Sequence, residues 1–451
     1  MLNTQYLVLN TYNLQLQKMT QQILDNLKIS ALNQMQIAAV QVADNRDVIL
    51  LSPTGSGKTL AFLLPIVANL TKDSKLVQAL IVVPSRELAL QIEQVFKQMS
   101  TGYKVNCCYG GHSTKIERNN MVEPAAVLIG TPGRLAYHLR NNHLDTKDVK
   151  TLVLDEFDKA LEFGFEADMA FIIGELAFLK KRILTSATQM EQIPTFTKVA
   201  NPVEINFLKD QNNAPDLELR AVLSDPETKL EVLFSLVCKI GNRSTLIFCN
   251  HREAVDRISE ILSKQNLVHG VFHGGMEQED REKALLKFRN GSYRILITTD
   301  LASRGLDIPE IEYIIHYQLP HNEEAFLHRN GRTARMHAKG TSYLMLTEDE
   351  SPSYIKTRIQ YEELPAEDVL PETTSWETLY IAAGKKDKVN KIDIVGLLLR
   401  KGALKKEEVG LIEVQDYSSY VAVKRSKINT ALNLIKGEKL KNKKVRIEIS
   451  R

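Results

Sequence analysis

Eight residues, Ser52-Pro53-Thr54-Gly55-Ser56-Gly57-Lys58-Thr59, carry the clearest chemistry in the chain. They follow the apolar run Val48 to Leu51 and open a segment of helical spacing, the setting a phosphate-cradling loop requires. Gly55 and Gly57 let backbone N–H groups turn inward on phosphate oxygens, with Ser52, Thr54 and Ser56 completing the loop. Ser52 stands where the usual pattern has glycine. Lys58 can reach the terminal phosphates, and the Thr59 hydroxyl can hold Mg²⁺. A hundred residues on, Asp155-Glu156-Phe157-Asp158 follows the buried-strand pattern Thr151 to Leu154. Asp155 is placed to hold Mg²⁺, partly through water, and Glu156 to orient or deprotonate an attacking water. The two motifs together imply phosphoryl transfer from a nucleotide to water.

A third cluster, His328-Arg329-Asn330-Gly331-Arg332-Thr333-Ala334-Arg335, sets three arginines within eight residues. Arg332 and Arg335 are three apart, so on a helix they share a face and reach one anion. An arginine offered to the transferred phosphoryl group is worth about 10³ to 10⁵ in rate.

These residues need strands to hold them. Apolar runs at 48–51, 79–83, 126–129, 151–154, 182–185, 245–249, 268–272, 294–298 and 313–317 alternate with helix-like stretches, which predicts parallel α/β architecture. The polar segments 52–59, 84–89, 155–158, 186–188, 273–281 and 299–307 fall just past the strands' carboxyl ends, where open parallel sheets bind ligands. The stretch from Asn201 to Pro226, polar, proline-bearing and without helical period for much of its length, reads as the domain boundary, and Tyr361 to Thr374 as a second break.

The bulk properties agree with a multidomain enzyme. A chain of 451 residues with 43% hydrophobic content can bury two or three cores. Four cysteines without metal spacing indicate buried thiols in a reducing compartment. With no basic leader and no long apolar segment, a cytoplasmic protein without membrane contact is expected. The net charge of +3 conceals an asymmetry: Trp376 to Arg451 holds 18 Lys and Arg against 9 Asp and Glu, leaving 40 against 46 for the rest. A basic module on an acidic body points to a polyanion partner.

In order and spacing the motifs resemble those of the DEAD-box RNA helicases from about Asn13 to Glu363. The matching segments are Gln36, the 52–59 loop, Pro84-Ser85-Arg86-Glu87-Leu88-Ala89, Gly110-Gly111, Thr131-Pro132-Gly133-Arg134, 155–158 and Ser186-Ala187-Thr188. They continue with Ile247 to Asn250, His273-Gly274-Gly275 with Gln278 and Arg281, Thr299 to Asp307, and 328–335. The resemblance implies two RecA-like domains, at 1–208 and 215–365, that bind ATP with Mg²⁺ and RNA rather than DNA. It makes Arg332 and Arg335 arginine fingers, Gln36 a reader of adenine and Asp307 a ribose contact. Arg86, Gly111, Thr131, Arg134, Arg281 and Thr299 become contacts to the RNA backbone, which give affinity without sequence choice. Ser186 and Thr188 would link Asp158 to the RNA side. Ile29, Leu32 and Asn33 precede Gln36 where the family has an aromatic, a proline and a threonine, which weakens adenine stacking. Phe157 replaces the usual alanine, placing bulk beside the carboxylates.

Residues 376–451 show a strand, helix, strand, strand, helix, strand order, that of a small α+β, RRM-like domain. They resemble the C-terminal domain of DbpA-type helicases in Gly384-Lys385-Lys386, Asp393-Ile394-Val395-Gly396 and Asp416 to Val423. The resemblance implies binding to ribosomal RNA of the large subunit within pre-ribosomal particles. Tyr417 and Tyr420 read as core residues. Lys385, Lys386, Lys388, Lys424, Arg425, Lys427 and Lys443 read as phosphate contacts. An RNA helicase is the leading expectation, with an ATP-gated clamp or a non-enzymatic RNA-binding scaffold as the alternative.

Overall fold

The runs Val48–Leu51, Ala79–Val82, Val127–Gly130 and Thr151–Leu154 are buried along their whole length, as strands are when both sheet faces are covered. The computed structural model describes residues 17–42, 46–111, 114–123, 125–190, 192–208, 216–303, 311–333, 339–355 and 359–450. By contacts the chain divides into two compact units, parting at residue 214.

The first unit is built on a seven-stranded parallel sheet. Its strands are β1 (Val48–Leu51), β2 (Ala79–Val82), β3 (Val105–Cys108), β4 (Val127–Gly130), β5 (Thr151–Leu154), β6 (Lys181–Ser186) and β7 (Val203–Asn206). They lie in the order β3-β4-β2-β5-β6-β1-β7. Because all run parallel, the loops after β1, β2, β4, β5 and β6 open on one edge, and these are the loops that carry the motifs. Helices Lys58–Asn69, Arg86–Gln98 and Pro132–Arg140 return the chain and cover the faces.

The second unit repeats the plan with β8 (Asp216–Leu223), β9 (Thr245–Phe248), β10 (Gly270–Phe272), β11 (Ile295–Thr298), β12 (Tyr313–His316), β13 (Lys339–Leu346) and β14 (Gln360–Tyr361). The order is β10-β11-β9-β12-β13-β8-β14, again parallel. The same unit holds an antiparallel sheet of β15 (Trp376–Ile381), β16 (Val409–Val414), β17 (Ser419–Lys424) and β20 (Ile447–Ile449), ordered β16-β17-β15-β20. Between its last two strands comes the hairpin β18 (Lys439–Leu440) and β19 (Lys443–Lys444). Leu379 and Ile381 on one face pack with Ile394, Leu398, Ile428 and Ile435 from helices Lys391–Arg400 and Arg425–Ile435.

Thr378, on the opposite face, meets the second parallel-sheet domain. Asn290 Nδ2 donates to Thr378 Oγ1 at 2.7 Å, and the Ser292 hydroxyl lies 2.7 Å from the same oxygen. Lys287 donates to the Ser450 carbonyl at 2.9 Å, and Arg289 pairs with Glu413 at 3.1 Å.

Strands reach into both expected breaks. The Asn201 to Pro226 stretch, within which the two units part, contains β7 and β8, paired to β1 and β13; residues 209–215 lie outside the described residues. β14 ends at Tyr361, where the second break begins, and pairs with β8, and Glu362 just after it forms ion pairs with Arg220 and Lys239.

Candidate nucleotide and RNA site

The loop after β1 is shaped by its glycines. Gly55 and Gly57 take φ of +82° and +86°, a region costly for any residue with a Cβ, and a Cβ on Gly57 would lie 2.6 Å from Gln36 Nε2. Gln36 belongs to helix Gln34–Gln41 and forms a capping box with Asn33. Its Nε2 donates to the Gly57 carbonyl at 3.2 Å, and its Oε1 accepts from the Asn33 N–H at 3.0 Å. Asn33 Nδ2 donates to the Ser56 carbonyl at 2.9 Å. The glutamine region is therefore fastened to the loop from the side. Lys58 Nζ donates to the carbonyls of Ser52 and Pro53 at 2.5 and 3.1 Å. Ser52 is buried and its N–H donates to the Ser186 carbonyl, tying the loop to β6. Thr54 and Thr59 are half-buried, Thr59 in the first turn of the twelve-residue helix Lys58–Asn69, whose N-terminus carries the positive end of the helix dipole.

Asp155 and Glu156 are buried where β5 ends. Thr185 on β6 serves both: its hydroxyl donates to Asp155 Oδ1 and accepts the Glu156 N–H, the latter at 3.1 Å. Burial pushes the Asp155 carboxyl above the usual carboxylate range, against the pull of the Thr185 hydroxyl and the Lys58 ammonium. Glu156 sits at φ +48°, left-handed backbone of the kind that collects at functional sites. Asp158 accepts from the Thr188 hydroxyl at 2.9 Å, and Ser186 and Thr188 are bonded to each other. The Phe157 ring is fully buried in the core cluster, 6.1 Å from the Phe196 ring.

The four residues expected to touch RNA from the first unit, Arg86, Gly111, Thr131 and Arg134, all follow the carboxyl ends of β2, β3 and β4. Arg86, first residue of helix Arg86–Gln98, lies directly against Gly110 and Gly111, and Gly111 has φ +95°. Arg134 bonds Glu117 at 3.0 Å, and Glu117 also accepts the N–H of Tyr109. Thr131 caps helix Pro132–Arg140, its N–H donating to the Cys108 carbonyl at 3.1 Å.

In the second unit Arg281 is buried on helix Gln278–Arg289 and donates to Gln278 Oε1 at 2.5 Å, while Thr299 is half-buried just past β11. Arg329 is fully buried, donating to Asp300, the Gln318 carbonyl and Asn250, with Phe248 beneath it at 5.2 Å. Arg332 lies beyond a helix rather than on one. Helix Glu323–Asn330 closes before it, and the Arg332 N–H donates to the Arg329 carbonyl in the turn that follows. Arg335 and Asp307 lie outside the described residues.

The basic module needs two corrections. Arg425 is a structural tie: its guanidinium donates to the carbonyls of Thr374, Trp376 and Ser292 at 2.8, 3.0 and 3.2 Å and pairs with Glu377 at 3.1 Å. Tyr417 is 66% exposed, and Tyr420 is half-buried with its ring 5.4 Å from Tyr380, so neither is a core residue. Lys424 lies over the Trp376 ring at 4.4 Å, and Lys443 pairs with Asp387 at 2.9 Å. Lys385, Lys386 and Lys388 are exposed on one turn.

Family models agree with this geometry. The one described as DEAD/DEAH box helicase matches residues 33–196, and that of the helicase conserved C-terminal domain matches 228–337. The chain is 34% identical over 318 residues to an ATP-dependent RNA helicase eIF4A of Mycosarcoma maydis, covering 69% of this chain and 77% of that protein. The chain belongs to the DEAD-box family of ATP-dependent RNA helicases.

A third model, the DbpA RNA binding domain, matches residues 378–449 of this helicase. ATP-dependent RNA helicase DbpA of Bacillus subtilis is 29% identical over 437 residues, covering 90% of this chain and 91% of its own. A solved structure of Mss116p bound to single-stranded RNA and AMP-PNP superposes with a TM-score of 0.68 at 28% identity, covering 77% of this chain and 78% of that one. The helicase is thus an RNA-stimulated ATP hydrolase with two RecA-like domains and an RNA-binding module. Among its described residues, no helix is long and apolar enough to cross a membrane. Burial pushes all four cysteine thiols up, Cys238 to about 11 and Cys249 to about 12, which holds them protonated and unreactive. Thr185 and Glu117 were missed by sequence reasoning: each acts through partners between 8 and 30 residues away, and no short motif marks such contacts.

Proposed function

We propose that this helicase remodels structured RNA of the large ribosomal subunit within pre-ribosomal particles in the cytoplasm. Its working parts are a first domain at 1–208, a second at 215–365 and the RNA-binding module at 376–451. Asp155 and Thr59 offer hard oxygen donors of the kind Mg²⁺ takes, and the left-handed glycine loop suits a triphosphate. Mg²⁺ there would neutralise charge building on the phosphates. Lys58 holds the terminal phosphates, Glu156 orients the attacking water, and Arg332 and Arg335 stabilise the transferred phosphoryl group. Each polar group of Gln36 has capacity for a second bond, which suits the N6 and N7 edge of adenine. Arg86, Gly111, Thr131 and Arg134 hold the RNA backbone from the first domain, and Arg281 and Thr299 from the second.

The observation that carries the choice of RNA is the match of the C-terminal module to the DbpA RNA binding domain, with Lys385, Lys386 and Lys388 exposed on one turn. The test measures ATP hydrolysis by the full chain with ribosomal RNA and with unstructured RNA of equal mass. Stronger stimulation by ribosomal RNA, abolished by the combined change Lys385→Glu, Lys386→Glu and Lys388→Glu, is expected. Equal stimulation by both RNAs would overturn the ribosomal reading. A Glu156→Gln change separates motor from clamp: RNA remodelling should cease with turnover while RNA binding persists.

A further inference from the structure

Glu117, on helix Thr114–Met121, joins two of the loops that carry proposed RNA contacts. Its side chain is 7% exposed. Oε1 accepts the N–H of Tyr109, the residue before Gly110 and Gly111, at 3.0 Å. Oε2 accepts from Arg134 Nη1 at 3.0 Å and from His138 Nε2 at 2.8 Å. Arg134 and His138 are four residues apart on helix Pro132–Arg140, so they share a face. His138 is fully buried, and its other ring nitrogen lies 3.2 Å from His143 Nδ1. One buried carboxylate is therefore matched by three donors from two segments of chain.

A buried carboxylate missing a partner is strained by desolvation, so this one has few alternative poses. His138 contributes no surface of its own, and its ring is oriented from both sides. Removing it leaves Glu117 short of one donor and able to turn away from Arg134. An arginine that is already held loses less side-chain freedom on meeting a phosphate than one waving in solvent. The Gly110-Gly111 loop benefits from the same fixture through Tyr109. Arg86 lies against those glycines, so its surroundings are set by the same carboxylate.

We propose that Glu117, fixed by His138, is a positioning residue for RNA engagement: it presets Arg134 and the Gly110-Gly111 loop as one phosphate-binding element of the first unit. The proposal rests on reading Arg134 as an RNA backbone contact. That reading and this inference fail differently.

The measurement is the polyuridine RNA concentration giving half-maximal ATPase stimulation of the full chain, for Arg134→Ala, Glu117→Gln and the double variant. Arg134→Ala should raise it by about 10- to 100-fold, the size of one lost charge-assisted contact. Glu117→Gln should raise it too, with turnover at saturating RNA retained. The double variant should exceed Arg134→Ala by no more than about threefold, since coupled sites are not additive. No effect of Arg134→Ala would sink the RNA-contact reading. A clear Arg134→Ala effect with full additivity would overturn the inference about Glu117 alone. His138→Gln keeps an amide donor near Nε2 and should rescue what His138→Leu loses; equal loss in both also overturns it.

Discussion

Phe157 stands between two carboxylates of the acidic motif, yet the structure assigns it to the core, and alanine at this position separates the two possibilities. The ring is fully buried and packs with Met169, Ile172 and Leu176, facing Phe196 at 48°. Truncation of such a ring costs about 3–5 kcal/mol, of which about 0.5–1.5 belongs to the aromatic pair. In a domain of this size each kcal/mol lowers the melting point by about 2–4 °C. Phe157→Ala should therefore melt the first domain roughly 6–20 °C earlier, the product of those two ranges. Scanning calorimetry of the full chain reads the shift, and hydrogen exchange in β5 assigns the transition to this domain. Well below the new melting point, RNA-stimulated turnover should stay within about threefold of the parent, because the partners of Asp155 are Thr185 and Lys58. A stability loss under about 1 kcal/mol together with a tenfold fall in turnover would refute the reasoning and place the ring in the catalytic coupling.

Two further outcomes follow from the geometry. Asp155 is held above the ordinary carboxylate range by burial, so the ionised form suited to Mg²⁺ is lost as pH falls through that raised value. Thr185→Val removes a hydroxyl that favours the charged form, so the acid limb of kcat/KM for ATP should move to higher pH; an unmoved limb would dismiss Thr185 as a tuning group. Arg425→Ala should cost about 1–3 kcal/mol by orphaning the carbonyls of Thr374 and Trp376, and hydrogen exchange should quicken in β15. If exchange were unchanged and the salt dependence of RNA binding fell by about one ion instead, Arg425 would be a phosphate contact after all.

What could be read from the sequence was whatever is local. The phosphate loop, the acidic turn and the central strands announce themselves through neighbours within eight residues, because a glycine turn or a doubly buried strand leaves its requirement in adjacent positions. β7 escaped notice because it is an edge strand of four residues, Val-Glu-Ile-Asn, with only Ile205 buried. Such alternation in a polar surrounding is hard to tell from loop. Arg332 was placed on a helix because its spacing permits one, but the helix ends at Asn330 and the chain turns at Gly331. Thr185 read as an ordinary β-branched strand former, since nothing near it in sequence reveals Asp155 across the sheet. The misreading of Arg425 has a more general cause. A count of basic residues records charge but not the unpaired carbonyls around each one, and a guanidinium with five donors is drawn wherever several carbonyls converge. The carbonyls of Ser292, Thr374 and Trp376 converge where the linker enters β15, 49 to 133 residues from Arg425 in sequence. Lys385 and Lys386 sit exposed on a turn and keep their charge facing solvent. The basic excess of the tail is therefore of two kinds, one spent inside the protein and one presented to a polyanion, and only the fold separates them.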